Sequence, residues 1–167
     1  MHVSHPFDPV YDENSRILIL GSFPSVRSRE ENFYYGHPQN RFWKLLSKLY
    51  GVPTPQTIEE KKKFLLRRGI ALWDVISSCE IENSSDQSIR EAVVNDLSEI
   101  FKRADIQAVF ANGKAAWKLY RKYHGNNVYC LPSTSPANAT WTMEKLEKTW
   151  TIIRENESES KNLLSEL

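Results

Sequence analysis

Four consecutive branched apolar residues, Ile17-Leu18-Ile19-Leu20, set the tightest constraint on this chain. A short run without polar alternation suits a strand covered on both faces, as in a parallel sheet flanked by helices. The run stops at Gly21-Ser22-Phe23-Pro24-Ser25, a turn at its C-terminal end. Ligands of open α/β sheets gather at that edge. The loop beyond holds Phe33-Tyr34-Tyr35 and then His37-Pro38-Gln39-Asn40 before an amphipathic helix begins. Ordinary core does not need so many rings and amides in one loop. Residues 20–43 therefore read as the floor and wall of a pocket for a flat ring.

Downstream, strands and helices alternate. Phe42, Leu45, Leu46 and Leu49 fall at helical spacing over 40–50. A second helix is expected from Thr57 to Arg68, with Thr57 and Glu60 as a capping box. Ile70 to Val75 reads as a strand, 77–88 as a polar connection, and Ile89 to Arg103 as a helix. Ile106 to Ala111 is a third strand, followed by a helix over 115–123. A fourth strand covers Asn127 to Cys130, and a last helix Met143 to Arg154. Residues 1–15 read as an irregular lead-in. The expected fold is a three-layer α/β/α sandwich, doubly wound around a parallel sheet of about four strands. One domain spans 1–155, and 156–167 is a frayed charged tail.

With 167 residues, 40% hydrophobic and 26% charged, the chain has the composition of an ordinary globular domain. No apolar run approaches membrane-spanning length, and the polar N-terminus is unlike a signal peptide. Two cysteines, Cys79 and Cys130, argue against a disulfide framework, an all-cysteine cluster or a Cys-only zinc site. A cytoplasmic protein without metal is the expectation. The net charge of +1 announces no nucleic acid, but a local basic face and backbone amides suffice for DNA.

The loops after strands one and four meet at one end of such a sheet. They are Gly21-Ser22-Phe23-Pro24-Ser25 with its aromatic segment, and Leu131-Pro132-Ser133-Thr134-Ser135-Pro136-Ala137-Asn138. Asn112, after strand three, joins the same rim. Gly113-Lys114 lacks the remainder of a Walker loop, and no GxGxxG follows any strand. Hydroxyls, amides and rings suit a flat heterocycle and a phosphodiester backbone instead.

These segments, above all His37-Pro38-Gln39-Asn40-Arg41-Phe42-Trp43, resemble the uracil-DNA glycosylase superfamily, and within it the hypoxanthine-DNA (deoxyinosine) glycosylases. The likeness spans residues 10–150 or so. It implies the sandwich fold and a monofunctional enzyme of base excision repair. Such an enzyme flips out a deaminated base and hydrolyses its N-glycosidic bond without a cofactor. The implied partner is DNA containing a damaged base, met by a monomer at the nucleoid. Phe23 stands where the uracil enzymes carry Asp and the mismatch enzymes Asn, and Leu131 where the uracil enzymes carry His. The resemblance therefore moves the essential polar role to Asn40.

Asn40 orients a water beside C1′ on this reading; by itself it reads as a helix cap. The base pocket is expected from Gly21, Ser22, Phe23, Tyr35, His37 and Asn112. Tyr35 stacks on the base, and the Ser22 and Phe23 backbone meets the purine edge. His37 reads more readily as a loop pin than as an acid, and Asn112 as a turn residue or a pocket amide. Asp74 is the nearest carboxylate, ranked first as a turn cap. Phosphate contacts are expected from Ser25, Arg27, Lys114, Ser133, Thr134, Ser135 and Asn138, with solvated surface the alternative for Arg27 and Lys114. Lys61-Lys62-Lys63 reads as a solvated face. The competing functions are uracil or mismatched-thymine excision, a non-catalytic nucleic-acid binding module on the same scaffold, and a small-molecule N-ribosidase.

Overall fold

The computed structural model describes residues 2–5, 7–31, 33–80 and 90–155. Among them the strands are β1 (His2–Ser4), β2 (Ile17–Gly21), β3 (Ile70–Asp74), β4 (Ile76–Glu80), β5 (Arg90–Val94), β6 (Ala108–Asn112) and β7 (Tyr129–Leu131). The helices are α1 (Val26–Glu31), α2 (Phe42–Tyr50), α3 (Ile58–Arg67), α4 (Ser98–Arg103), α5 (Lys114–His124) and α6 (Met143–Trp150).

The four-stranded parallel sheet has the order β3-β2-β6-β7. β2 is central and fully buried, as its unbroken apolar run requires. Its side chains alternate between two cores. Ile17 and Ile19 pack with Phe42, Leu45, Leu46, Phe64, Leu146 and Trp150 from α2, α3 and α6. Leu18 and Leu20 pack with Leu97, Ile100 and Tyr120 on the side of α4 and α5. The expected sandwich is present.

Local chemistry explains the helix ends. Thr57 Oγ1 accepts the Glu60 N–H at 3.0 Å while Glu60 Oε2 accepts the Thr57 N–H at 3.4 Å, the reciprocal cap expected for α3. The Gln56 N–H, which donates to the same Oε2 at 2.8 Å, and after it the Thr57 N–H hold the exposed Glu60 carboxyl below its ordinary range.

Three expectations need correction. The helix expected over 89–103 is a strand, β5, followed by the short helix α4. Ala92, Val93, Leu97 and Ile100 imitate a helical stripe, but Val93 and Phe101 are exposed while β5 pairs antiparallel with β4. Cross-strand pairing prevails over local period. The polar connection begins only after β4, and residues 81–89 lie outside those described. The N-terminal lead-in is also ordered into pairing. β1 adds antiparallel to β4, and Val10 exchanges two backbone hydrogen bonds of 2.9 Å with Leu72. The frayed tail expected over 156–167 lies outside the described residues.

Because β2 is packed on both faces, Ile19→Ala should lower unfolding free energy by about 2–5 kcal/mol in a denaturant titration.

Candidate functional site

All four parallel strands end at one edge, and each contributes to a single cavity there. β2 gives Gly21 and the turn Ser22 to Ser25, β3 gives Asp74, β6 gives Asn112, and β7 leads into Ser133, Thr134 and Ser135. Ser28, Tyr34, Tyr35 and Asn40 complete the wall. The cavity holds about 110 Å³. That is less than the roughly 150 Å³ that encloses a benzene, and this cavity is open to solvent on one side.

The aromatic loop is folded around Ser28, a buried residue of α1. Ser28 Oγ accepts the Gly36 N–H at 2.9 Å and the Ser25 hydroxyl at 3.1 Å, and its carbonyl accepts the Phe33 N–H at 3.1 Å. These bonds bracket Tyr35, which sits at φ +55°. A left-handed backbone at a tyrosine costs roughly 1–3 kcal/mol, and the neighbouring bonds hold it there. One face of the Tyr35 ring stacks on Phe42 at 4.1 Å and 26°. Trp43 Nε1 donates to the Tyr34 carbonyl at 3.0 Å, tying the loop to α2.

Asn40 is half-buried at the wall. Its Oδ1 accepts the Phe42 N–H at 3.0 Å, so from one residue before the N-cap Arg41 the side chain takes up the first N–H of α2 and lines the cavity at once. Next to it, Arg41 joins the two halves of the rim. Its guanidinium donates to the carbonyls of Ser135 (3.1 Å), Asn138 (3.2 Å) and Trp141, and its N–H donates to the Thr134 carbonyl. Asn112 completes the lock: Nδ2 donates to Thr134 Oγ1 at 3.0 Å, and Oδ1 accepts the Thr134 N–H at 3.1 Å.

Asp74 is only 3% exposed, yet it lines the cavity. His5 Nε2 donates to Asp74 Oδ2 at 2.8 Å, since Nδ1 faces the Phe7 N–H at 3.5 Å. Phe7, Phe23, Tyr34 and Trp73 surround the imidazole, with ring centroids 4.6–6.4 Å away. Asn95 Nδ2 holds the Asp74 carbonyl at 2.8 Å. Burial first, and the Asp74 charge next, push the Tyr34 phenol well above its ordinary range. It stays protonated and donates to the Asp8 carbonyl at 2.9 Å. Gly21 faces Asp74 in register, and a Cβ there would lie 2.3 Å from Asp74 Oδ1.

The cavity thus gathers Gly21, Ser22, Phe23, Ser25, Tyr35, Asn40, Asn112, Ser133, Thr134 and Ser135. His37 is corrected: it is exposed, outside the wall, and its Nδ1 accepts the Gln39 N–H, so it pins the loop. Thr134 is also corrected. Its Oγ1 accepts from Asn112 Nδ2 and its N–H donates to Asn112 Oδ1, and the residue is fully buried, so it is a structural clasp of the rim and not a surface contact for a phosphate. Asn138 turns its amide onto the Ser133 carbonyl. Lys114 is exposed at the start of α5, and the Arg27 side chain lies outside the described residues. The Ser22 carbonyl already accepts the Ile76 N–H, and that of Gly21 the Val75 N–H, so neither faces a ligand unoccupied. Asp74 is a wall residue and not a turn cap. Sequence reasoning missed His5 and Ser28. Neither carries a local signal, because their partners lie across the fold or in an unremarkable polar loop. Among the described residues no three His, Cys, Asp or Glu side chains converge on a metal position, and no helix is long and apolar enough to cross a membrane.

The structure is an α/β/α sandwich with a cavity of aromatics, amides and hydroxyls at its strand ends. The chain belongs to the uracil DNA glycosylase superfamily, whose family model matches residues 9–155. It is 34% identical to the hypoxanthine DNA glycosylase of Methanosarcina acetivorans over 90% of this chain and 98% of that one. To the enzyme of the same name from Methanosarcina barkeri it is 35% identical, over 79% of this chain and 86% of the relative. A solution NMR structure from M. acetivorans, provisionally ascribed to uracil DNA glycosylase, superposes with a TM-score of 0.75 at 32% identity. That match covers 92% of this chain and 99% of the other.

Two outcomes follow from these contacts. Gly21→Ala should force the Asp74 carboxylate aside, lowering both the melting temperature and the activity. Arg41→Lys removes the planar fork that reaches several carbonyls together. Amide hydrogen exchange at Asn138 and Trp141, both bonded within the loop, should accelerate, while exchange in β2 stays unchanged.

Proposed function

We propose that this chain is a monofunctional DNA glycosylase that excises a deaminated base, hypoxanthine first, from DNA. The observation that carries the reading is the wall itself: Phe23 supplies no polar side-chain group at the turn after β2, and Asn40 presents a fixed amide. The names of the two Methanosarcina relatives agree with it.

The base is flipped into the cavity and lies against Tyr35, which lines it and is backed by Phe42. Stacking of this kind is worth about 1–3 kcal/mol. The C1′–N9 bond breaks and its electron pair leaves with the base, giving an oxocarbenium-like sugar. Water adds at C1′, loses a proton to solvent, and an abasic site remains. An asparagine cannot take that proton, but Oδ1 keeps a second lone pair beyond the one given to Phe42, and this orients the water. A cation needs only a weak nucleophile, so positioning suffices. Ser25, Ser133 and Ser135 at the rim, with Arg27 and Lys114, meet the phosphates. The enzyme works as a monomer, in the cytoplasm at the nucleoid, and its reaction calls for no cofactor or metal.

Duplex oligonucleotides with one deoxyinosine, uracil or mismatched thymine, followed by alkaline cleavage, test the reading. Inosine strands should be nicked fastest. No nicking of any substrate would remove the enzyme assignment. Asn40→Ala should slow inosine excision by at least about a hundredfold with the fold retained; near-normal turnover would leave Asn40 a helix cap.

A further inference from the structure

We propose that Arg29, held against Phe23, is the positive charge that stabilises the base as it departs. This rests on the glycosylase reading above and assigns the leaving-group side of that same reaction. When the C1′–N9 bond breaks, the electron pair stays on N9 and the purine leaves as an anion spread over its ring nitrogens and O6. A proton from solvent neutralises it afterwards. Among the described residues the cavity wall offers no cation to meet that charge. Its side chains are hydroxyls, amides and aromatic rings, with the acid Asp74 at the inner end. The Tyr34 phenol is committed to the Asp8 carbonyl and His5 to Asp74. Arg41 gives its guanidinium to the carbonyls of Ser135, Asn138 and Trp141.

Arg29 stands one layer behind the wall. Its guanidinium carbon lies 5.8 Å from the centroid of the Phe23 ring. Phe23 lines the cavity and Arg29 does not, so the ring separates the guanidinium from the base. The face of an aromatic ring carries negative charge and holds a cation. A hydrocarbon ring also weakens the field of that cation far less than a layer of water would. Arg29 is half-buried, and its Nε is buried without a hydrogen-bond partner. None of the ion pairs among the described residues includes it. Its own N–H donates to the Ser25 carbonyl at 3.0 Å, which fixes α1 to the turn that carries Phe23. The Phe23 ring is fixed from a second side, where the His5 imidazole meets it edge-on at 5.9 Å. Arg29 acts through this ring and is a positioning residue. The neutral base gains little from it and the anionic transition state gains more, which is the condition for a faster chemical step.

Leaving-group dependence separates this role from a structural one. Single-turnover excision is measured on duplexes bearing deoxyinosine or 8-aza-deoxyinosine, whose base has the same shape but departs as a more stable anion. Affinity is measured on duplexes bearing 2′-fluoro-deoxyinosine, whose fluorine resists glycosidic cleavage. Arg29→Met should slow deoxyinosine excision by about tenfold or more. It should slow the 8-aza substrate less and leave the affinity nearly unchanged, because the intact base is neutral. Arg29→Lys keeps the charge and should restore most of the rate and the wild-type ratio between the two substrates. Circular dichroism checks the fold of each variant, and Arg29→Gln repeats the measurement should the Met variant misfold. Equal slowing of both substrates, or a loss of affinity that accounts for the whole effect, would overturn the proposal and leave Arg29 a support for Phe23. A wild type that cleaves no deaminated base would instead remove the glycosylase reading itself, and this proposal with it.

Discussion

The site depends on a close approach between two strand ends. β2 and β3 run parallel with Gly21 opposite Asp74, and the carboxylate occupies the space a Gly21 side chain would need. Burying a carboxylate without a partner is costly, so its position requires hydrogen bonds. They come from outside the parallel sheet. His5 arrives on the N-terminal segment, and its own N–H is fixed to the Ser77 carbonyl at 2.6 Å. Asn95 follows β5 and holds the Asp74 backbone. The small β1-β4-β5 sheet, which adds little to the main core, thus supports the inner wall of the cavity.

The outer wall is held by a different principle. Phe33 and Tyr34 anchor the aromatic loop in the core, and polar side chains satisfy the backbones of the wall loops. Ser28 does this for the aromatic loop, and Arg41 and Asn112 for the loop after β7. Gly113, at φ +97°, allows Ser133 to approach to 3.2 Å from where a Cβ would stand. Asn40 belongs to the same economy of contacts. Capping α2 fixes its amide, and a fixed amide is what orientation of a water demands. The bond to Phe42 and the water-orienting role proposed for Asn40 draw on one arrangement.

The parallel sheet was legible because its signal is local: Ile17 to Leu20 and Ile70 to Leu72 carry their burial on both faces in their own composition. The capping box at Thr57 was legible for the same reason. β5 was hidden by an accidental helical spacing, and its strand state comes from β4 across a hairpin. At the site, the rim was readable from loop order once the strands were placed, so most wall residues were found. What the sequence concealed was pairing. Nothing near His5 indicates a partner at position 74, whereas His37, expected both in the pocket and as a loop pin, keeps only the second place.

Phe23 at the turn after β2 removes a carboxylate from one place, and the cavity still contains one. It is supplied from the adjacent strand, directly across from Gly21, and the change of strand alters what it can do. A carboxylate on the turn after β2 would have freedom to meet water near the sugar. Asp74 is fixed at a strand end, bonded to an imidazole that four aromatic rings enclose, and nearly sealed from solvent. That setting suits a fixed acceptor better than a group that must handle a mobile water.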